Sequence, residues 1–207
     1  MADLNALSAR FQAHMTALQV SINGHDYAAI DNADGKLEED ALFEGVFMRG
    51  FTAFEEFLEA IFLHYCAGQP SLNGFVAETR LQRCSEADIR TILKGDQNYI
   101  DWSRPTKVRN RAKLFIVGGE PFDGHIGSQT GVLASIEKVR NRIAHESAEA
   151  KSAMKEVERT LFLTERPFEM GAGQLLRARR RARPFMSNAS DFLAALAGLS
   201  QQLAYHS

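Results

Sequence analysis

The chain has 207 residues, of which 45% are hydrophobic and 24% charged, and a formal net charge of −2. That length suits one domain able to bury about 70% of its unfolded surface, so the core needs no staples. The near-neutral balance excludes a polycation, and any grip on nucleic acid has to come from a local patch.

Two cysteines, Cys66 and Cys84, stand outside any CxxC or Cys/His ligand spacing. Free thiols in a reducing cytosol fit that usage better than a disulfide. The first residues carry Asp3 among polar neighbours and do not form a signal peptide. No apolar run approaches the roughly 20 residues a membrane span requires. The expectation is a cytoplasmic protein with no membrane partner.

Leu4, Leu7, Phe11, Met15, Leu18 and Ile22 recur at helical spacing and predict a helix over 3–22, with Asp3 as cap. Asn23-Gly24 ends it, and 25–36 reads as a loop. The longest helix is predicted over 37–66. Its phenylalanines, with Leu42, Val46, Leu58, Ile61 and Tyr65, cover nearly half the circumference. A stripe that wide suits the central element of a bundle.

Residues 68–71 break the chain, and 74–83 read as a short helix. Ser85-Glu86-Ala87-Asp88 has the form of a capping start for a helix ending near Gly95. Residues 101–105 read as a loop whose Trp102 packs inward. A helix over 106–117 and a loop over 121–127 follow. The next helix runs from about Thr130 to Glu146, and another reaches about Leu163. Residues 166–184 read as irregular. A final helix starts near Ser187 or Asn188, with Phe192, Leu193, Leu196, Leu199 and Leu203 on its apolar side. Phe115-Ile116-Val117 is the only β-like triplet. The fold class is all-α: an up-and-down bundle over 1–165, with a basic loop and additional C-terminal helix over 166–207 packed on the same domain.

The stretch that carries chemistry is Lys138-Val139-Arg140-Asn141-Arg142-Ile143-Ala144-His145. On a helix, Val132, Ile136, Val139 and Ile143 form an apolar stripe. Asn141 and His145 share a face roughly opposite that stripe, and Arg140 lies between. Histidine moves protons near neutral pH. Arginine presents a planar fork to phosphate oxygens. Asparagine can position either one. One helix cannot enclose the pair, so a second copy is the simplest second wall. The plain alternative is a solvated helix end with His145 beside the helix dipole. The same pentapeptide, Lys-Val-Arg-Asn-Arg, also occurs at 107–111 without a following His, and so serves as an internal control.

The segment resembles the Arg-x4-6-His signature of the HEPN superfamily, small helical proteins that are often ribonucleases. Phe54-Glu55-Glu56-Phe57-Leu58 is similar to the acidic position on an earlier long helix of many members. Trp102 and Arg111-Ala112-Lys113-Leu114-Phe115 resemble HEPN relatives of prokaryotic conflict and defence systems. The likeness covers roughly residues 37–165.

It implies a metal-independent endoribonuclease of the kind found among toxins and defence effectors, one that leaves 2′,3′-cyclic phosphate ends. His145 would be the proton-transfer group, Arg140 the charge stabiliser, and Asn141 and Glu55 their positioning partners. RNA contacts would fall to Lys138, Arg142, Arg179, Arg180 and Arg181. No cofactor or metal is expected, since the remaining histidines follow no ligand spacing. The expected partners are RNA, a second copy in a homodimer, and an antitoxin or other regulatory partner. Ser147 stands where some family toxins carry a tyrosine that is adenylylated, so that control is not expected. The alternatives are a catalytically inactive HEPN-like module that binds RNA or a ligand or dimerises, and a purely structural helical subunit.

Overall fold

Asp3 opens the first helix by accepting, through its side chain, the N–H of Asn5 at 3.1 Å. It thereby satisfies a donor that the first helical turn leaves without a partner. The computed structural model describes residues 3–23, 37–81, 84–163, 169–178 and 186–207. Among them are nine α-helices: α1 (Leu4–Asn23), α2 (Leu37–Cys66), α3 (Glu86–Lys94), α4 (Pro105–Phe115), α5 (Phe122–Ser128), α6 (Thr130–Ala144), α7 (Ala148–Phe162), α8 (Ala172–Arg177) and α9 (Asn188–Ala204). Pairing of extended backbone among the described residues is limited to two isolated bridges, Pro70 with Val76 and Thr79 with Ile116. The chain is all-α. No helix among the described residues is long and apolar enough to cross a membrane.

The molecule divides into two compact units. The first comprises Met1–Ala13, Ala53–Ala134 and Ala197–Ser207, the second His14–Thr52 and Ser135–Leu196. In the first, Phe62 lies 5.2 Å from Trp102 and 5.0 Å from Phe122 between ring centroids. Tyr65 packs on Phe75 and Phe122. Its hydroxyl donates to the carbonyl of Leu203 at 2.6 Å, which ties α9 to α2. Trp102 is buried and donates to Glu59 at 2.9 Å.

The second unit is built on the first half of α2. Phe43, Phe47 and Phe51 are buried there, and Phe47 meets Phe192 of α9 at 6.1 Å. Gly50 makes room for Leu193, because a Cβ at that position would stand 2.2 Å from its Cδ2. Ile136 and Val139 of α6 and Met154 and Val157 of α7 are buried in the same unit.

Three stretches differ from expectation. The short helix read over 74–83 is absent from its described residues. Gly74 takes φ 88°, a left-handed value that helices exclude, and the Ser71 hydroxyl accepts the N–H groups of Asn73 and Phe75. The loop read over 121–127 is α5 instead. Phe122 and Ile126, one turn apart, are buried, and the Glu120 carboxylate accepts the N–H of Gly124. Within the stretch read as irregular, 172–177 forms α8. All six of its residues are buried, so no polar face alternates with an apolar one to signal a helix. The boundary of α6 also moves inward from Glu146 to Ala144. Ser147 is extended and caps α7 by accepting the N–H of Ala150 at 3.1 Å, and an N-cap cannot also continue the preceding helix.

Gly173 is the tightest backbone approach in α8: a Cβ there would sit 2.6 Å from Cα and 2.7 Å from the carbonyl oxygen of Asp40. Backbone cannot swing aside as a side-chain tip can. Gly173→Ala is expected to destabilise the fold by about 1–3 kcal/mol, the cost of overpacking. Thermal unfolding should show this as a midpoint lowered by several degrees.

Candidate functional site

The last turns of α6 place Arg140 one residue past the buried Val139 and four past the buried Ile136. Its side chain therefore rises along the shoulder of the apolar stripe and is half-buried. The guanidinium donates through NH1 to the Asn141 side-chain oxygen at 3.2 Å. Its Nε is buried and makes no hydrogen bond among the described residues. A buried donor without an acceptor costs about 1–3 kcal/mol, a local cost that the fold retains. Because Nε is enclosed, an anion could reach only the terminal nitrogens.

His145 is the first residue beyond α6. Its backbone N–H still bonds the Asn141 carbonyl at 2.9 Å, which keeps the two residues one turn apart, and its side chain is exposed. Arg142 lies on the opposite shoulder and is half-buried. Its charge acts on Glu44 of α2. Lys138 is ion-paired with Glu156 of α7. Glu55 is half-buried on α2 within the first unit, whereas Arg140, Asn141 and His145 belong to the second. Arg179, Arg180 and Arg181 lie outside the described residues.

Arg177, the first arginine of that basic run, requires a correction. The stretch 166–184 was expected to be an irregular basic loop, yet Arg177 within it is only 4% exposed. Its Nε donates to Asp40 at 2.6 Å, and Glu39 stands at 4.0 Å. The short helix α8 turns it inward, which a charge run in a sequence cannot indicate.

The repeated pentapeptide now becomes informative. Both copies are helical, and both valines are buried, Val108 at 1% and Val139 at 0% exposure. In the first copy Arg109 donates through Nε to Asp123 at 2.7 Å. The guanidinium of Arg111 lies 4.8 Å over Trp102, and Lys107 pairs with Asp101 at 2.7 Å. Every cation of that copy is answered. In the second copy Lys138 and Arg142 face carboxylates, while Arg140 has only the neutral amide of Asn141 as a hydrogen-bond partner among the described residues.

Glu44 is the residue that sequence reasoning missed. Burial pushes its carboxyl above the usual range. The Gly173 N–H and the Arg142 charge pull against that, and Asp40 adds to it. One oxygen accepts the Gly173 N–H at 2.8 Å. The available signal was the i, i+4 spacing of Asp40 and Glu44 near the start of α2, but nothing in it announces α8 as the partner.

A concave feature away from these residues lies in the first unit, lined in part by Glu56, Glu59, Leu63, His64 and Arg90. Glu59 is engaged by Trp102 and Arg90. The Nε2 of His64 is 2.8 Å from the Pro70 carbonyl oxygen. These groups brace α3 and the turn after α2. Among the described residues, no three His, Cys, Asp or Glu side chains gather as a metal ion would require. Comparison with protein-family models, curated proteins and solved structures finds no match.

The fold binds the Glu44 proton more tightly than the unfolded chain does, so the ionised form opposes folding once pH rises above the ordinary Glu range. Glu44→Gln keeps an oxygen for the Gly173 N–H and removes the charge. It should raise the unfolding midpoint at pH about 7, and the gain should vanish near pH about 4, where carboxyls are largely protonated. Arg177→Ala, by contrast, leaves Asp40 facing no guanidinium and is expected to cost about 3–5 kcal/mol in denaturant unfolding.

Proposed function

We propose that this chain is a metal-independent endoribonuclease of the HEPN type, acting in the cytoplasm as a homodimer that closes the cleft around Arg140, Asn141 and His145. The observation that carries this reading is the guanidinium of Arg140, which among the described residues is hydrogen-bonded only to the neutral amide of Asn141, while its counterpart Arg109 pairs with Asp123. A fold that gives Arg109 a carboxylate and gives Arg140 none among the described residues supports a reading in which Arg140 meets an anion. A phosphodiester is the anion that a neighbouring histidine could also act upon.

In the proposed reaction His145 takes the proton from a ribose 2′-hydroxyl. The 2′-oxygen attacks the adjacent phosphorus, and the bond to the 5′-oxygen breaks as that oxygen gains a proton. The products are a 2′,3′-cyclic phosphate and a 5′-hydroxyl. Arg140 stabilises the charge on the crowded phosphorus through its terminal nitrogens. Asn141 holds that guanidinium by the contact at 3.2 Å. Lys138, Arg142 and the run Arg179 to Arg181 guide the backbone. Glu55 completes the acidic part of the resemblance. A growth-arresting role in defence, with an antitoxin as regulator, belongs to the same reading.

A second reading is a catalytically inactive HEPN-like module that binds RNA or another ligand, or dimerises. The exposed ring of His145, beyond the last residue of α6, favours it. Incubating the purified protein with RNA in EDTA separates the two. Cleavage with cyclic phosphate ends is expected, and His145→Ala should lower its rate about 10²–10⁴-fold. Arg140→Lys should lose most activity despite its retained charge, because the fork is gone. Arg109→Lys, the same change in the control copy, should leave activity intact. RNA retained without products would favour the inactive module, and cleavage untouched by His145→Ala would remove the nuclease assignment.

A further inference from the structure

The end of the chain is held by an unusual density of contacts within the first unit. Four successive backbone carbonyls at and beyond the end of α9 are each given a donor from another segment. Leu203 receives the Tyr65 hydroxyl at 2.6 Å and Ala204 the Leu72 N–H at 2.8 Å. Tyr205 receives the Asn73 amide at 2.5 Å, and His206 the Ser71 hydroxyl at 2.6 Å. Helix carbonyls left without partners at a C-terminus are thereby satisfied. The ring of His206 stands edge-on to Phe75, 4.4 Å between centroids. Its Nδ1 lies 2.9 Å from Nε2 of His125 on α5.

Two imidazoles can share a hydrogen bond only while at least one of the facing nitrogens lacks a proton. With both rings neutral, one donates and the other accepts. With one proton added, the bond becomes charge-assisted and persists. With two, both facing nitrogens are donors and two like charges lie in contact. We propose that His125 and His206 form a pH-sensitive clamp, which holds the segment after α9 against the 71–75 loop and opens when both rings are protonated.

The surroundings favour opening. Burial of His125 holds its ring below the ordinary histidine range, and a charge on His206 pushes the same way, with Glu120 opposing. On α5, Asp123 is already taken by Arg109 and Lys113 of α4. The 71–75 loop brings Ser71, Asn73 and Phe75 and no charge, and His64 of α2 is engaged with Pro70. Glu120 is thus the one carboxylate found acting on His125 among the described residues. A histidine whose folded form resists protonation stabilises the fold above the ordinary range and loses that contribution as pH falls through it.

Amide hydrogen exchange of the full chain, with EDTA present and rates corrected for intrinsic pH dependence, tests the clamp. The Leu72 amide reports it, because that N–H bonds the Ala204 carbonyl. Ile89 of α3, bonded to Ser85, is the control. Between pH about 8 and about 5, Leu72 should lose roughly tenfold more protection than Ile89, the scale of one lost hydrogen bond with added repulsion. His125→Gln, which can still hydrogen-bond but gains no charge, should abolish that difference. If His125→Gln does not fold, His206→Gln is read in the same way. Equal pH dependence at Leu72 and Ile89 in the unaltered chain would overturn the proposal, as would an undiminished difference in the variant that folds.

Discussion

The constraint on which the rest of the structure depends is the phenylalanine stripe of α2. Phe43, Phe47 and Phe51 on its first half and Phe54, Phe57 and Phe62 on its second are all buried. Each is worth roughly 1.5–3 kcal/mol when removed from water. The first three form the heart of the second unit, where Phe192 and Leu193 of α9 reach them across Gly50. The last three form the heart of the first, where Phe11 of α1 and the rings of Trp102, Phe115 and Phe122 surround them. Helices as short as α5 hold their shape because they supply a ring to this stripe and not because of their own propensity.

Around that apolar frame buried and half-buried cations find partners one by one. Arg109 meets Asp123, Arg111 lies on Trp102, Arg177 meets Asp40, and Lys138 meets Glu156. Partial burial makes each pairing more valuable than it would be in bulk water. The guanidinium of Arg140, bonded to Asn141 but facing no carboxylate among the described residues, departs from that rule. Departures of this kind are places where function is sought, because the fold has kept a local cost there. The site also has an economy of parts. The last turn of α6 carries the cation and the amide that holds it, His145 follows as the first residue beyond, and Ser147 caps the next helix.

Much of the fold was legible in the residues alone. The helical spacing over α1, α2, α6, α7 and α9, the capping serine of α3 and the inward Trp102 follow from periodicity and local hydrogen bonding, which act over a few residues and are written there. Of the candidate site, the placement on one helix face was legible: the stripe of Ile136 and Val139, the shoulder position of Arg140 and the turn joining Asn141 to His145. It was not legible that Arg140 would keep a buried Nε while Arg109, in the same pentapeptide, would find Asp123. That difference lies 14 residues downstream, on a helix that two glycines had disguised as a loop.

By itself, then, the sequence determined an all-α chain and the candidate face of α6, because both arise from interactions between residues three or four apart. Tertiary structure alone decided which charges are buried and which have partners: Arg177 drawn inward by Asp40, Glu44 shared between Gly173 and Arg142, His125 set against His206. The physical reason is that the cost of a buried charge depends on groups more than a hundred residues away for Arg177 and Glu44, and dozens away for His125. Their approach is set by how the apolar faces pack, and no local pattern records it.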